Sequence, residues 1–274
     1  RRSEGLPCHT WRVPELISNE ARVLVLPELG GRVSSLVIDD TEVVVGPLRP
    51  DGTPHSPFGW GVYPMVPFAG RIRGARFSFA GVTHRLPERA TPHAIHGTVD
   101  DVEWEVAGVD STTLVLTTDL GADWPFSGRV THTIGVRDGS IRFELALEAI
   151  DAMPAQVGWH PWFVRPARID HRFSAWIPRD ADGMPGEATR EKMPSLADAV
   201  DDCFVSDGSP VTVRVDNLEL SLSSDCSHWV VYTGAEHGIC VEPQSGPPNA
   251  IESAPDILAP GETLRRWFEI SWSA

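Results

Sequence analysis

Residues of types that could carry chemistry include Glu242 and His160, which could pass protons, and His96, Arg71 and Asp201, which could bind a polar ligand. They are distant along the polypeptide, and each has a bland reading as well. Glu242 follows the apolar run Ile239-Cys240-Val241 and precedes Pro243, whose missing N–H is expected to end the strand there, ahead of the loop Gly246-Pro247-Pro248. A carboxylate held stiffly where a strand gives way to a loop suits a site; it equally suits a solvated strand end. His160 stands in Gly158-Trp159-His160-Pro161-Trp162-Phe163. Indoles on both sides disfavour its charged form and poise it as an acid or base, and the same neighbours also describe a histidine packed in the core.

His96 precedes Gly97, which permits a tight turn and close approach of a ligand. Arg71 enters a stretch that is otherwise apolar from Tyr63 to Ile72, where a guanidinium needs a carboxylate partner or a polar ligand. Asp201 and Asp202, in Val200-Asp201-Asp202-Cys203-Phe204, stand at a strand start, a position also open to a turn or cap. His93-x-x-His96 has the look of a metal pair, but two ligands are fewer than a site needs, and no metal is expected. G-x-G-x-x-G, the P-loop, G-x-S-x-G and H-E-x-x-H are all absent, which leaves nucleotide-binding, serine-hydrolase and zincin readings without support.

The elements that must carry these residues read as strands. Ala21–Leu26, Arg32–Ile38 and Glu42–Val45 come first, the last two joined across Asp39-Asp40. Ala75–Phe79 and Val82–Leu86 bracket Ala80-Gly81, and Val102–Val106 and Thr113–Thr117 follow. Val130–Val136 and Ser140–Leu147 flank Asp138-Gly139, a strong hairpin signal. In the latter, Ile141, Phe143, Leu145 and Leu147 alternate with Arg142, Glu144, Ala146 and Glu148, so one face is buried and one is wet.

Val157–Val164, Val211–Val215, Leu218–Ser223, Trp229–Thr233 and Leu264–Trp272 complete the set. Residues 46–60 form a Pro/Gly-rich loop long enough to be functional, residues 178–194 are polar and irregular, and a short helix is expected within Thr189–Val200. The class is all-β: a large antiparallel β-sandwich of two sheets, in one domain spanning residues 1–274.

Composition limits the partners. With 274 residues, 23 Lys+Arg and 38 Asp+Glu, the net charge of −15 repels phosphate backbones and anionic lipid, so neither nucleic acid nor membrane is an expected partner. No run approaches the roughly 18 apolar residues of a membrane span. The chain opens Arg1-Arg2-Ser3-Glu4 with no signal-peptide pattern. Cys8, Cys203, Cys226 and Cys240 are scattered without C-x-x-C, which fits reduced thiols in a cytoplasmic protein. Ten Trp against two Tyr is a bias that serves either a core or platforms for sugar faces.

Taken in chain order, the quoted segments resemble the aldose 1-epimerase (galactose mutarotase) family. The resemblance is carried by Gly31-Arg32-Val33, Pro67-Phe68-Ala69-Gly70-Arg71-Ile72, Ile95-His96-Gly97, Gly158-Trp159-His160-Pro161-Trp162-Phe163, Asp201-Asp202-Cys203-Phe204 and Val241-Glu242-Pro243-Gln244. It implies a β-supersandwich and interconversion of the α and β anomers of a free aldose, with Glu242 as general base and His160 as general acid. His96 and Arg71 match residues that bind the sugar near its ring oxygen, and Asp201 matches a sugar-hydroxyl ligand. Two positions depart from the family pattern: Gly70 replaces the Asn before Arg-Ile, and Asp202 replaces the His after Asp.

Opening and reclosing a hemiacetal moves protons but no electrons or groups, so no cofactor is implied and the expected partner is a monosaccharide. Gln244, Trp60 and the Pro/Gly loop are candidates for choosing among sugars. Two alternatives remain: an epimerase of hexose phosphates, against which the acidic Thr98-Val99-Asp100-Asp101 after His96-Gly97 argues, and a non-catalytic sugar-binding protein on the same scaffold.

Overall fold

Strands account for nearly all the regular structure in the computed structural model, which describes residues 13–196 and 199–273. Two antiparallel sheets dominate, one of ten strands and one of eight. The larger sheet runs in the order Glu15–Ile17, Ala21–Leu26, Arg32–Ile38, Val62–Met65, Gly158–Val164, Gly238–Gln244, His228–Tyr232, Asp201–Val205 and Ala175–Ile177, with Thr41–Glu42 paired to Arg32–Ile38. The smaller runs Glu105–Val109, Thr113–Asp119, Gly128–Arg137, Ser140–Ala149, Thr263–Trp272, Leu218–Ser224, Val211–Val215 and Ala167–Asp170.

The main core lies between the sheets. The alternation read in Ser140–Ala149 holds: Ile141, Phe143, Leu145 and Leu147 are buried while Arg142, Glu144 and Glu148 are not. Phe143 stacks on Phe268 of the neighbouring strand at 5.5 Å between ring centroids. Trp104, Trp159 and Trp229 are fully buried, so these indoles build core rather than sugar platforms. Trp159 also donates its Nε1–H to His132 Nε2 across the sandwich at 3.2 Å, a polar cross-link in an apolar layer.

The central strands of the larger sheet are buried on both faces, as the burial of every residue of Gly238–Gln244 shows. One face meets the smaller sheet. The other is covered by loops, among them residues 46–60, and the cavity described below opens there.

Several expectations need correction. Pro243 does not end its strand, which continues to Gln244 with Pro243 opposite Trp229. The ladder toward Gly158–Val164 pairs Gly158 with Gln244 and resumes at Trp162 with Cys240. Between those pairs Pro161 and Pro243 each withhold an N–H, so both prolines fall in a gap of the ladder. The strand expected at Val102–Val106 begins instead at Glu105 and reaches Val109, because Trp104 turns inward to donate to the Val99 carbonyl at 2.9 Å. No helix forms among the described residues of Thr189–Val200. Thr189 exchanges both backbone hydrogen bonds with Trp176 instead, and Ala197 and Asp198 lie outside the described residues, as does Cys8.

Candidate active site

Strand parity sorts the site from the core. On Gly158–Val164 and Gly238–Gln244, Trp159, Phe163, Ile239 and Val241 enter the inter-sheet core, while His160, Trp162, Cys240, Glu242 and Gln244 point to the loop-covered face. Register then sets neighbours. Gly158 pairs with Gln244 and Trp162 with Cys240, which puts His160 opposite Glu242; on the other side Tyr63 pairs with His160. Asp201 pairs with Tyr232 one strand beyond the Glu242 strand's other neighbour, Val230.

A small ladder delivers Arg71 and His96 together. Arg71–Ile72 pairs with Ala94–Ile95, so Arg71 lies opposite Ile95 and His96 follows at once. His96 adopts a left-handed backbone, φ 60°, and donates its N–H to the Gly70 carbonyl at 3.0 Å. Such a conformation strains a non-glycine residue by about 1–3 kcal/mol and is held by what surrounds it. Gly97 is required: a Cβ there would lie 2.1 Å from the Val66 carbonyl oxygen. Gly70, the first departure from the family pattern, has φ 67°, and a Cβ would meet the Pro248 ring at 2.9 Å.

Glu242, His160, Arg71, His96 and Asp201 all line one cavity of about 340 Å³, at the lower end of the roughly 300–1,000 Å³ typical of small-molecule sites. His160 Nε2 lies 3.3 Å from Glu242 Oε1, and Gln244 donates to the other carboxyl oxygen at 3.0 Å. Burial pushes the Glu242 carboxyl up to about 8, with Asp201 adding to the rise and Arg179, Gln244 and Arg71 opposing it. Burial, aided by the Arg32 cation, brings His160 down to about 3. His96 stands edge-on to His160 at 4.8 Å and is also held well below the ordinary imidazole value, by burial and then by His160. The pair His160–Glu242 therefore holds a single proton near neutral pH.

Asp201 is tied to cations rather than free. Arg179 contacts both its oxygens, at 2.7 and 2.9 Å, and Arg71 lies 3.9 Å away. Arg179 escaped sequence reading because it comes from the polar, irregular segment after Pro178, where nothing marks one arginine above another. Asp202 accepts the Arg179 backbone N–H at 3.3 Å and plays a structural part. Gln244 and Ser56, Phe58 and Gly59 of the Pro/Gly loop line the cavity, whereas Trp60 stacks over Arg32. Gln244 Oε1, His96 Nδ1 and His160 Nδ1 are buried without a hydrogen-bond partner among the described residues.

His93 and His96 do not act as a pair. His93 Nδ1 accepts from the Gly74 N–H at 3.0 Å, and its Nε2 meets the Asp182 carbonyl at 3.2 Å. The metal-type donors that do cluster are His96, His160 and Glu242, within 4.8 Å of one another. That spread exceeds the roughly 3.4 Å edge of a tetrahedral site with bonds of 2.0–2.2 Å, so the donors do not close on an ion as they stand. The group is better matched to passing protons than to holding a metal.

The sequence profile described as Aldose 1-epimerase matches residues 15–271. The chain belongs to the aldose 1-epimerase family. Among curated proteins, the uncharacterized protein YihR of Escherichia coli K12 is 26% identical over 276 residues, covering 88% of this chain and 87% of YihR. Among solved structures, a candidate aldose 1-epimerase of Escherichia coli K12 superposes with TM-score 0.83 at 19% identity, covering 96% of this chain and 99% of that one. Galactose 1-epimerase of Lactobacillus acidophilus NCFM gives TM-score 0.76 at 17% identity, covering 93% of this chain and 91% of that one. At these identities the structures establish the common galactose mutarotase-like fold; the family's chemistry must be argued from this epimerase family member's own residues.

Proposed function

We propose that this protein is a mutarotase, interconverting the α and β anomers of a free aldohexose. The reading is carried by one observation: a buried imidazole and a buried carboxyl lie 3.3 Å apart at a sugar-sized cavity. In the reaction, Glu242 takes the proton from the C1 hydroxyl while His160 gives one to the ring oxygen. The bond from C1 to the ring oxygen breaks and C1 becomes a carbonyl. After rotation about C1–C2 the ring recloses on the other face, and the protons return.

One proton shared by two sites is the right stoichiometry, since each transfer empties one site as the other fills. Burial favours that proton on the carboxyl, and Arg179 and Arg71 favour the ionised carboxylate once sugar hydroxyls separate the pair. Arg71, His96 and Asp201 hold the sugar, with Arg179 and Gln244 beside them. Asp201 is poorly suited as a glycosidase-type second carboxylate, because two arginines already occupy it.

A second reading, an epimerase of hexose phosphates, is favoured by Arg71 and Arg179 standing together in the cavity. It ranks second because Asp201 already accepts from Arg179, and because Asp100 and Asp101 engage the nearby Arg89 at 2.5 and 3.2 Å. Polarimetry with glucose, galactose and glucose 6-phosphate separates the two. Acceleration of the neutral sugars is expected, with Glu242→Gln and His160→Ala each slowing the rate by about 10²–10⁴-fold in a folded protein. Sugar binding with mutarotation left at its spontaneous rate would instead identify a binding protein.

A further inference from the structure

Arg32 stands in the segment Gly31-Arg32-Val33, yet it neither lines the cavity nor hydrogen-bonds a carboxylate among the described residues. It is 2% exposed. Its guanidinium donates to three backbone carbonyls, those of Pro57 at 2.7 Å, Trp60 at 2.9 Å and Asp100 at 3.3 Å, and its Nε has no partner among the described residues. The Asp100 carboxylate is taken by Arg89. A buried cation served only by neutral acceptors is an expensive way to fill space. The fold also makes room for it: Gly61 has φ 78°, and a Cβ there would stand 2.8 Å from the Arg32 stem.

What the cation touches is the Tyr63 ring. The guanidinium carbon lies 4.2 Å from the Tyr63 centroid on one side and 4.4 Å from the Trp60 ring. His160 stacks on Tyr63 at 4.8 Å and 16°, and Trp162 stacks on His160 at 5.6 Å and 20°. Trp60, Arg32, Tyr63, His160 and Trp162 thus form one column of planar groups, with the imidazole as the only member beside Glu242.

We propose that Arg32 is a positioning residue for the acid/base step, acting on His160 through the Tyr63 ring; the inference rests on the mutarotase reading. The cation–π contact fixes the tyrosine plane, and the tyrosine plane fixes the imidazole so that Nε2 faces Glu242. The buried positive charge behind the tyrosine also disfavours the imidazolium, so a proton on His160 is readily passed to the ring oxygen. The other titratable groups around His160 are Tyr63 beneath it, His96 edge-on, and Glu242 opposite; Arg71, Arg179, Asp201, Tyr232 and His237 line the same cavity, His237 stacks on Trp162, and Cys240 neighbours Trp162. Around Arg32 they are Asp100, Asp101 and Arg89. Among the described residues, Arg32 is the one cation that reaches His160 through a stacked ring.

The test compares Arg32→Gln, which removes the charge, with Arg32→Lys, which keeps it and loses the planar clamp. The readouts are the pH profile of kcat for mutarotation and the NMR titration midpoint of the His160 imidazole. In Arg32→Gln the acidic limb and the midpoint are expected to rise by roughly half to one pH unit. In Arg32→Lys both stay in place while kcat falls about tenfold and KM changes less than about twofold. Unmoved limb and midpoint in Arg32→Gln would overturn the proposal. Should that variant not fold, Tyr63→Leu with Arg32 intact breaks the column, and a wild-type kcat there overturns it as well. If the unaltered protein leaves mutarotation at its spontaneous rate, the mutarotase reading alone fails, and the His160 midpoint still decides the role of Arg32.

Discussion

Arg179 grips Asp201 with contacts of 2.7 and 2.9 Å from a loop outside both sheets, and so closes the cation side of the cavity over a strand carboxylate. Arg179→Gln frees Asp201 to turn toward Arg71 and withdraws one of the charges that favour ionised Glu242. The expected outcome is a several-fold rise in KM with a smaller fall in kcat, read by initial-rate polarimetry over a range of sugar concentrations. An unchanged KM would place Arg179 outside sugar binding.

Glu242 governs the pH behaviour of both rate and stability. Its folded value of about 8 lies above the ordinary carboxyl value of 4.5. The native state therefore binds this proton more tightly than the unfolded chain. The resulting stabilisation is full below about pH 4.5 and is lost as pH climbs toward 8. Glu242→Gln lacks that loss, so its melting temperature should gain on that of the wild type between pH 5 and 8. The catalytic pair works with one proton, so kcat/KM should fall as pH rises through about 8, where Glu242 gives that proton up and neutral His160 has none to donate.

Gly70 explains its own departure from the family pattern. Restoring Asn puts a Cβ 2.9 Å from the Pro248 ring in a left-handed conformation with φ 67°. Gly70→Asn should destabilise the protein by about 1–3 kcal/mol, because Asn tolerates that backbone but the ring must move. Denaturant titration measures this, and equal stability of the two proteins would show that the Pro248 loop yields freely.

Trp159 and His132 join the sheets through a buried hydrogen bond of 3.2 Å. Burial holds His132 down to about 3. A group depressed in this way loses its stabilising contribution as pH falls below about 6.5, where the unfolded imidazole takes up a proton. Trp159→Phe leaves the imidazole without its donor and should cost about 1–3 kcal/mol; His132→Leu with Trp159→Phe should recover part of it. His132→Leu alone should flatten the acid side of the stability curve.

Much of this molecule was legible in one dimension. Period-two alternation in Ser140–Leu147 and Leu264–Trp272 dictates sheets with one apolar face, and Asp138-Gly139 dictates the hairpin joining the first of these to its predecessor. His96, His160, Arg71, Asp201 and Glu242 are each ambiguous by type and neighbours alone; it is their order along the chain, in segments that resemble the aldose 1-epimerase family, that nominates them together. Prolines misled at Glu242: a missing N–H reads as a strand end, yet Pro243 falls opposite a gap where its neighbour strand has Pro161.

Tertiary structure decided the rest. Only the register of antiparallel strands puts His160 opposite Glu242, and a slip of one residue in either strand would have turned that strand's member of the pair into the inter-sheet core. Only the folding of residues 178–187 beside the sheet brings Arg179 to Asp201. Local sequence determines which way a residue alternates and how the backbone bends, since those depend on near neighbours. Distances between groups far apart in the chain, and the desolvation that moves their protons, come into being when the sheets and loops close around them.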